Sequence, residues 1–380
     1  MTVRPIAHDP ATTPVVVVYG GPSAEHDVSI VSGTAIAEAL AGGGYPVAQR
    51  YVGLDGCWWQ MPDDHRRAGR AAAAYDDPVP LGAKGPVDAG RSLHEVAGTQ
   101  PRPVIFLALH GPYGEDGTVQ AMCEATSLVY TGASVTASAV GMDKAIFKRL
   151  VRGLGLPVID WREVPATRWR RDQSAVLAEL EAFADATGDP RLMVKPARLG
   201  SSVGITLAHQ PAERATALDT AFRYDSLALV ERYLDGARDL EVSVIGNADE
   251  GLELYGPGEI LAGHEFYDFA AKYTPGLSET TLTAEVDERT KATIRKLARD
   301  AYRAIGCEGF ARVDFLLAGD AVYVSEINTI PGFTPISLFP TLPSEAGYDF
   351  VGVCQRIIDL ALERARERPR VRLTPADLIR

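Results

Sequence analysis

The run from Pro14 to Gly21, PVVVVYGG, constrains this chain more than any other stretch. It is apolar without alternation, and a strand apolar at every position must be covered on both faces, as in the middle of a parallel sheet. The turn Gly20-Gly21-Pro22-Ser23 follows, then a helical pattern with Val28, Val31, Ala35 and Ala39 on one stripe. Strand, glycine turn and helix make the first unit of a doubly wound α/β sheet, and the helix N-terminus can receive an anion. The glycines form neither G-x-G-x-x-G nor a Walker loop, so alone they identify no nucleotide. Glu25 and His26 at this turn suit the first turn of a helix, where the dipole favours an acid. A second apolar run, Val104 to His110 (VIFLALH), ends in HGPYGEDGT and a helix from near Val119. Open α/β sheets place ligands at the carboxyl ends of their strands. His110, with Glu115 and Asp116 close in sequence, therefore reads as a substrate residue at least as readily as a structural histidine.

The 380 residues exceed one ordinary core and imply two or three domains. Hydrophobic content of 46% and charged content of 23% are those of a soluble globular protein. A net charge of −12 argues against nucleic-acid binding and leaves any anionic substrate to local positive groups. Cys57, Cys123, Cys307 and Cys354 are far apart and form no C-x-x-C pair, which suits a reducing compartment. The histidines make no zinc pattern. No apolar run reaches ~18 residues and no signal peptide opens the sequence, so a cytoplasmic location and no membrane partner are expected. Residues 1–13 read as a loose leader and 363–380 as a loosely held tail. Residues 62–102, rich in Gly, Pro, Ala and Asp, read mostly as an insertion or mobile surface segment.

Farther along, residues 142–158 predict a basic helix with Lys144 and Lys148 one turn apart. A strand, a helix over Gln173 to Ala186 and the strand Leu192 to Val194 follow. KPARLGSSVGI (195–205) is then a lysine entering a Gly/Ser loop that could wrap a phosphate. Strands are expected at Ala228 to Leu234, Leu240 to Ile245 and Tyr255 to Ile260, a loop at 266–275, and an amphipathic helix at Asp287 to Ile305. The last signal is a hairpin from Ala311 to Phe333, with Ala318, Gly319 and Asp320 as a three-residue loop. That register places Arg312, Asp314, Val324, Glu326 and Asn328 on one face. Two carboxylates and an amide beside a guanidinium suit a hard cation such as Mg²⁺ better than zinc or copper.

In this order, GGPSAEHDVS, ALHGPYGEDG, YTGASVTASAVGMDK, VKPARLGSSVG, FYDFAAKY, ARVDF and EINTIPGFTPIS resemble the signature blocks of the D-alanine–D-alanine ligases, members of the ATP-grasp superfamily. The resemblance covers residues 14–360 apart from the stretch 62–102. It implies an N-terminal Rossmann-like substrate domain (14–140) and two α+β domains (141–230 and 231–365) that clamp ATP. It also implies a reaction: two D-alanines joined through an acyl phosphate, with ATP going to ADP, for peptidoglycan synthesis. Two Mg²⁺ ions are implied, with Mn²⁺ as a substitute; K⁺ activation stays open, and a homodimer is the expected assembly.

By the same resemblance Asp314, Glu326 and Asn328 are the metal ligands, and Arg312 faces the transferring phosphoryl group. Lys144, Lys195 and Lys272 grip ATP phosphates, and Glu231, Tyr233 and Leu234 surround the adenine. Asp239 or Glu241 takes the ribose, Asp239 being preferred. Glu25 receives the first ammonium group with Ser201 and Tyr273 as partners, and His110 lies near the same substrate. Gly332 offers an N–H to the oxyanion, and Ser337 and Leu338 lie where the second carboxylate binds. Leu199 departs from the pattern where many relatives carry an acid, as does Phe269, where a tyrosine is common. The intact Lys272-Tyr273 pair favours an amide over a D-lactate ester. D-serine, D-lactate or another small acceptor is the alternative, and residues 266–276 are the candidate lid.

Overall fold

The computed structural model describes residues 3–247, 251–262 and 278–367. Its first sheet has the order β4-β3-β2-β1-β5-β6, built from β1 (Val15–Gly20), β2 (Val47–Val52), β3 (Trp58–Gln60), β4 (Lys84–Val87), β5 (Val104–Leu107) and β6 (Val129–Tyr130). β2, β1, β5 and β6 are parallel, and β3 and β4 extend one edge antiparallel. Every residue of β1 is buried, as its unbroken apolar run requires. Helices α1 (His26–Gly42) and α2 (Ala89–Ala97) cover opposite faces of this sheet, and α3 (Thr118–Ala125) joins the α2 side. The arrangement is doubly wound.

The helical stripe expected on α1 is displaced. Val28, Val31, Ala35 and Ala39 are only partly buried, whereas Ser29, Ile30, Ser32, Gly33, Thr34, Ile36, Ala37 and Leu40 are buried. The helix is wedged between the sheet and the C-terminal helix (Phe350–Glu367), so far more than one stripe is covered. Its serines face strand ends: Ser29 Oγ donates to Ala108 O (2.7 Å) and accepts Gly20 N–H (2.7 Å). Residues 62–102 are also folded, contrary to expectation. They supply β4 and α2, and Tyr75, Leu93 and Val96 anchor them in the core. The leader is docked as well: Ala7 N–H donates to Asp359 (3.0 Å), and the His8 ring bridges Asp359 and Tyr45 at 2.6 Å each. Of the expected tail, residues 363–367 continue the last helix.

Two antiparallel sheets follow. One has the order β7-β10-β8-β9, with β7 (Trp161–Pro165), β8 (Leu192–Pro196), β9 (Thr206–Ala208) and β10 (Leu227–Arg232). The other runs β13-β12-β11-β14-β15, from β11 (Arg238–Ile245), β12 (Glu253–Ala262), β13 (Ser278–Thr281), β14 (Phe310–Ala318) and β15 (Ala321–Asn328). The helix Glu288–Ala304 packs on the latter through Ile294, Leu297, Ala298, Ala301 and Tyr302, the stripe its periodicity predicts.

The β14–β15 hairpin differs from the sequence reading in a way that matters for the site. Ala318 pairs with Ala321, so the loop is the two residues Gly319-Asp320, with Gly319 at φ +58°. A β-bulge lies between Asp314–Glu326 and Phe315–Val324 and absorbs Ser325 as an extra residue. Beyond the bulge Asp314 opposes Glu326 and Arg312 opposes Asn328. The four polar residues thus share a face, as expected, but Val324 does not: it is fully buried with Val313, Phe315 and Ile327. The bulge coincides with a partner from outside the sheet, since Val324 N–H donates to Pro157 O at 2.9 Å.

Candidate active site

Between the two antiparallel sheets lies a cleft of about 200 Å³ whose walls are the facing strands β8, β10, β11, β14 and β15. Lys144, Lys195, Glu231, Tyr233, Leu234, Asp239, Arg312, Asp314 and Glu326 all line it. Residues spread over more than 180 positions of sequence are brought to one hollow. Lys272 and Tyr273, and the candidate lid around them, lie outside the described residues.

The floor is ionic. Glu231, on β10, is buried with Lys195 Nζ 2.8 Å away, while Lys148 Nζ lies 2.6 Å away in a charge contact poorly aligned for a hydrogen bond. Burial alone pushes this carboxyl up, but the two ammonium groups outweigh it and bring it down to about 2. Lys148, fully buried, is held below the usual lysine range by burial, with Glu231 pulling the other way. Lys144 donates to Leu199 O (2.8 Å) and pairs with Glu326 (2.9 Å); burial lowers it, the Glu326 charge raises it, and the net shift is upward.

On the hairpin face Arg312 grips Asp314 with two hydrogen bonds of 2.7 Å and approaches Glu241 at 3.3 Å. Asn328 donates to the same Asp314 at 2.9 Å. Despite burial, the surrounding carboxylates hold the Arg312 guanidinium well above its ordinary range, so it stays charged. No cluster of three His, Cys, Asp or Glu side chains able to hold a metal occurs among the described residues. The candidate metal set consists instead of two carboxylates and an amide. The two carboxylates already attract cationic side chains, Arg312 on Asp314 and Lys144 on Glu326, and hard donors of this kind fit Mg²⁺.

At the mouth of the first sheet stands Glu25, 7% exposed. Ser201 donates to its Oε1, whereas Oε2 is buried and meets no hydrogen-bond partner among the described residues. A β-carbon at Gly111, which stands at φ +73°, would come within 2.5 Å of Oε2 and one at Gly200 within 2.6 Å, so the two glycines leave this carboxylate its place. The serine loop bends sharply to reach it, with Ser201 at φ +50° and Ser202 at φ +55°. His110 is buried, and its Nδ1 faces Ile330 O at 2.9 Å and must donate there. Burial keeps this ring below the usual histidine range and neutral, so Nε2 accepts from Ser32 Oγ at 2.9 Å.

Gly332 lies beside Ser337, whose hydroxyl is 2.7 Å from Thr334 Oγ1. The Leu338 side chain is buried in the core, which leaves only its main chain for a ligand. Leu199 is likewise buried, and its carbonyl is what holds Lys144. Several neighbours of the site carried little sequence signal: Ser32, Gly111 and Gly200. Ser32 could have been found from the spacing of Glu25, Ser29 and Ser32, which follows a helical face.

A doubly wound domain followed by two antiparallel sheets closing on a lysine-lined cleft is the architecture of the ATP-grasp enzymes. Residues 14–133 match the family model described as the D-ala D-ala ligase N-terminus, and residues 150–359 that of its C-terminus. The D-alanine–D-alanine ligase of Heliobacterium modesticaldum is 39% identical over 363 residues, covering 94% of this chain and 96% of its own. That of Kineococcus radiotolerans is 38% identical over 370 residues, with 92% and 96% covered. Among solved structures, the D-alanine-D-alanine ligase from Coxiella burnetii superposes with a TM-score of 0.74 at 28% identity, covering 97% of this chain and 98% of that one. The VanG D-Ala:D-Ser ligase from Enterococcus faecalis gives 0.76 at 27%, with 92% and 99% covered. The chain belongs to the D-alanine–D-alanine ligase family.

Proposed function

We propose that this protein is an ATP-dependent ligase that joins two D-alanines into D-alanyl-D-alanine for peptidoglycan synthesis. The observation that carries the reading is the shared wall at residues 199–201. On its cleft side Leu199 O holds Lys144, and on its other side Ser201 holds Glu25, whose second oxygen meets no donor among the described residues. Such a wall sets a phosphate-binding lysine next to an acceptor for an ammonium group, as phosphorylation of an amino-acid carboxylate demands.

In this reading Lys144 and Lys195 hold the ATP phosphates, and Glu231 receives the adenine amine, with Tyr233 and Leu234 against the base. Asp239 takes the ribose, because Glu241 is drawn to Arg312. Lys272 and Tyr273 keep the roles the resemblance gives them. Asp314, Glu326 and Asn328 would hold two Mg²⁺ ions, which when bound neutralise charge on the phosphates. Glu25 fixes the first D-alanine so that its carboxylate oxygen attacks the γ-phosphorus as the bond to ADP breaks, with Arg312 against the transferring group. The second D-alanine attacks the acyl carbon as a free amine, the Gly332 N–H receives the oxyanion, and phosphate leaves. Ser337 and the main chain of Leu338 hold the second carboxylate.

The domain division at about residues 140 and 230 belongs to the same proposal, as do a homodimer and a cytoplasmic location; none of the described helices is long and apolar enough to cross a membrane. Glu326→Gln tests the reading: turnover is abolished while the far-UV spectrum is kept, and near-normal activity removes Glu326 from the site. An acceptor screen at fixed D-alanine, read by product mass, separates D-alanine from D-serine and D-lactate.

A further inference from the structure

The carboxylate of Glu115 has no part in the chemistry above, yet it is only 8% exposed and is held by two main-chain N–H groups. Its Oε2 accepts the N–H of Gly111 at 2.8 Å, and its Oε1 accepts the N–H of Ile330 at 2.9 Å. The first bond closes its own loop. The second crosses 215 positions of sequence to the turn that carries Gly332. The other end of Ile330 is held from the same loop, because Ile330 O accepts from His110 Nδ1. One residue of the turn is therefore pinned at both its N–H and its C=O by two side chains of the 110–115 loop. A third tie lies two positions beyond Ile330's neighbour Pro331, where Phe333 N–H reaches Ser32 Oγ at 3.4 Å, the hydroxyl that also serves His110.

We infer that Glu115 is a positioning residue: it sets the Ile330–Phe333 turn, and with it the Gly332 N–H, against the substrate held at Glu25. The inference rests on the ligase reading for what that N–H does. Burying a carboxylate this deeply beside Glu25 raises it to about 8, with the two N–H bonds and Lys144 opposing the rise. The consequence for chemistry is selective. The turn faces the oxyanion of the second step, whereas phosphoryl transfer in the first step depends on the lysines and Arg312.

Glu115→Gln tests this in the full-length enzyme. The amide keeps the shape but turns an N–H₂ toward one of the two N–H donors, so the turn shifts without losing its core. Two rates are read: exchange of the β,γ-bridging oxygen of isotopically labelled ATP in the presence of D-alanine, which reports the first step, and dipeptide formation. Dipeptide formation is expected to fall about 10²-fold, the cost of a displacement near 1 Å at a reacting centre. The exchange rate and the KM for ATP stay within about threefold of wild type. Ser32→Ala, acting on the same turn from the other side, shows the same split with a smaller loss. Equal loss of both rates in Glu115→Gln, or loss of neither, overturns the inference. Wild-type enzyme that forms no dipeptide overturns the ligase reading instead, and the two failures are told apart in the wild-type control.

Discussion

Replacing Lys148 with Met removes one of the two cations that keep Glu231 ionised in the buried cleft floor. Its depression from an ordinary 4.5 to about 2 corresponds to ~3 kcal/mol of differential interaction between its two protonation states. Lys148 lies nearer than Lys195, 2.6 against 2.8 Å, and is the more deeply buried of the two. Removing one partner of a buried pair costs about 3–5 kcal/mol, and with Lys195 still in place ~3 kcal/mol is the expected loss. Glu231 has a folded-state value below its unfolded one, so its contribution is fully present above pH ~4.5 and is lost as the pH falls toward 2. In Lys148→Met the folded-state value moves back toward the unfolded one, so the pH-dependent part of the contribution is smaller and is used up at a higher pH. Trp161, whose ring lies 5.5 Å from Lys148 Nζ, reports the region by fluorescence. Urea unfolding at pH 7 and again at about pH 3 measures both effects, and Lys148→Met/Glu231→Gln should recover part of the loss at pH 7, since Lys195 then loses its carboxylate partner too. A change under ~1 kcal/mol, or no recovery in the double variant, refutes the account of the cleft floor.

Gly200→Ala places a β-carbon 2.6 and 2.8 Å from the two Glu25 oxygens; the KM for D-alanine should rise at least ~10-fold with that for ATP unchanged, as initial-rate kinetics will show. Val324→Ala should cost ~2 kcal/mol in urea unfolding, because the bulge sends this residue into the core; a solvent-facing valine would cost almost nothing. Asp359→Asn weakens the docking of the leader through Ala7 and His8, and it should lower the melting temperature by a few degrees while leaving kcat intact.

How far the sequence could be read depended on whether a feature was local. The apolar run at Val15–Gly20 and the stripe on the helix Glu288–Ala304 needed no partner to be recognised. The hairpin chemistry was legible too, since Arg312, Asp314, Glu326 and Asn328 do share a face. Its register was not, because the bulge at Ser325 answers to Pro157, a residue far away in sequence. The buried face of α1 escaped a hydrophobicity reading because Ser29 and Ser32 are buried to serve backbone and His110. Residues 62–102 hold to the core by sparse anchors without periodicity. The docked leader depends on Asp359, some 350 positions away. The motif blocks found the cleft residues well; of the polar scaffold behind them, Glu115 and Lys148 stood out in the sequence without their partners, and Ser32 became visible only as a distance.

The central claim, that the lysine-lined cleft and the Glu25 pocket are two halves of one ligase site, is tested most directly by product stoichiometry. Purified protein with Mg·ATP and D-alanine is predicted to release one phosphate for each D-alanyl-D-alanine identified by mass, and none beyond background when D-alanine is left out. Phosphate release indifferent to D-alanine, or release with no dipeptide, would contradict it.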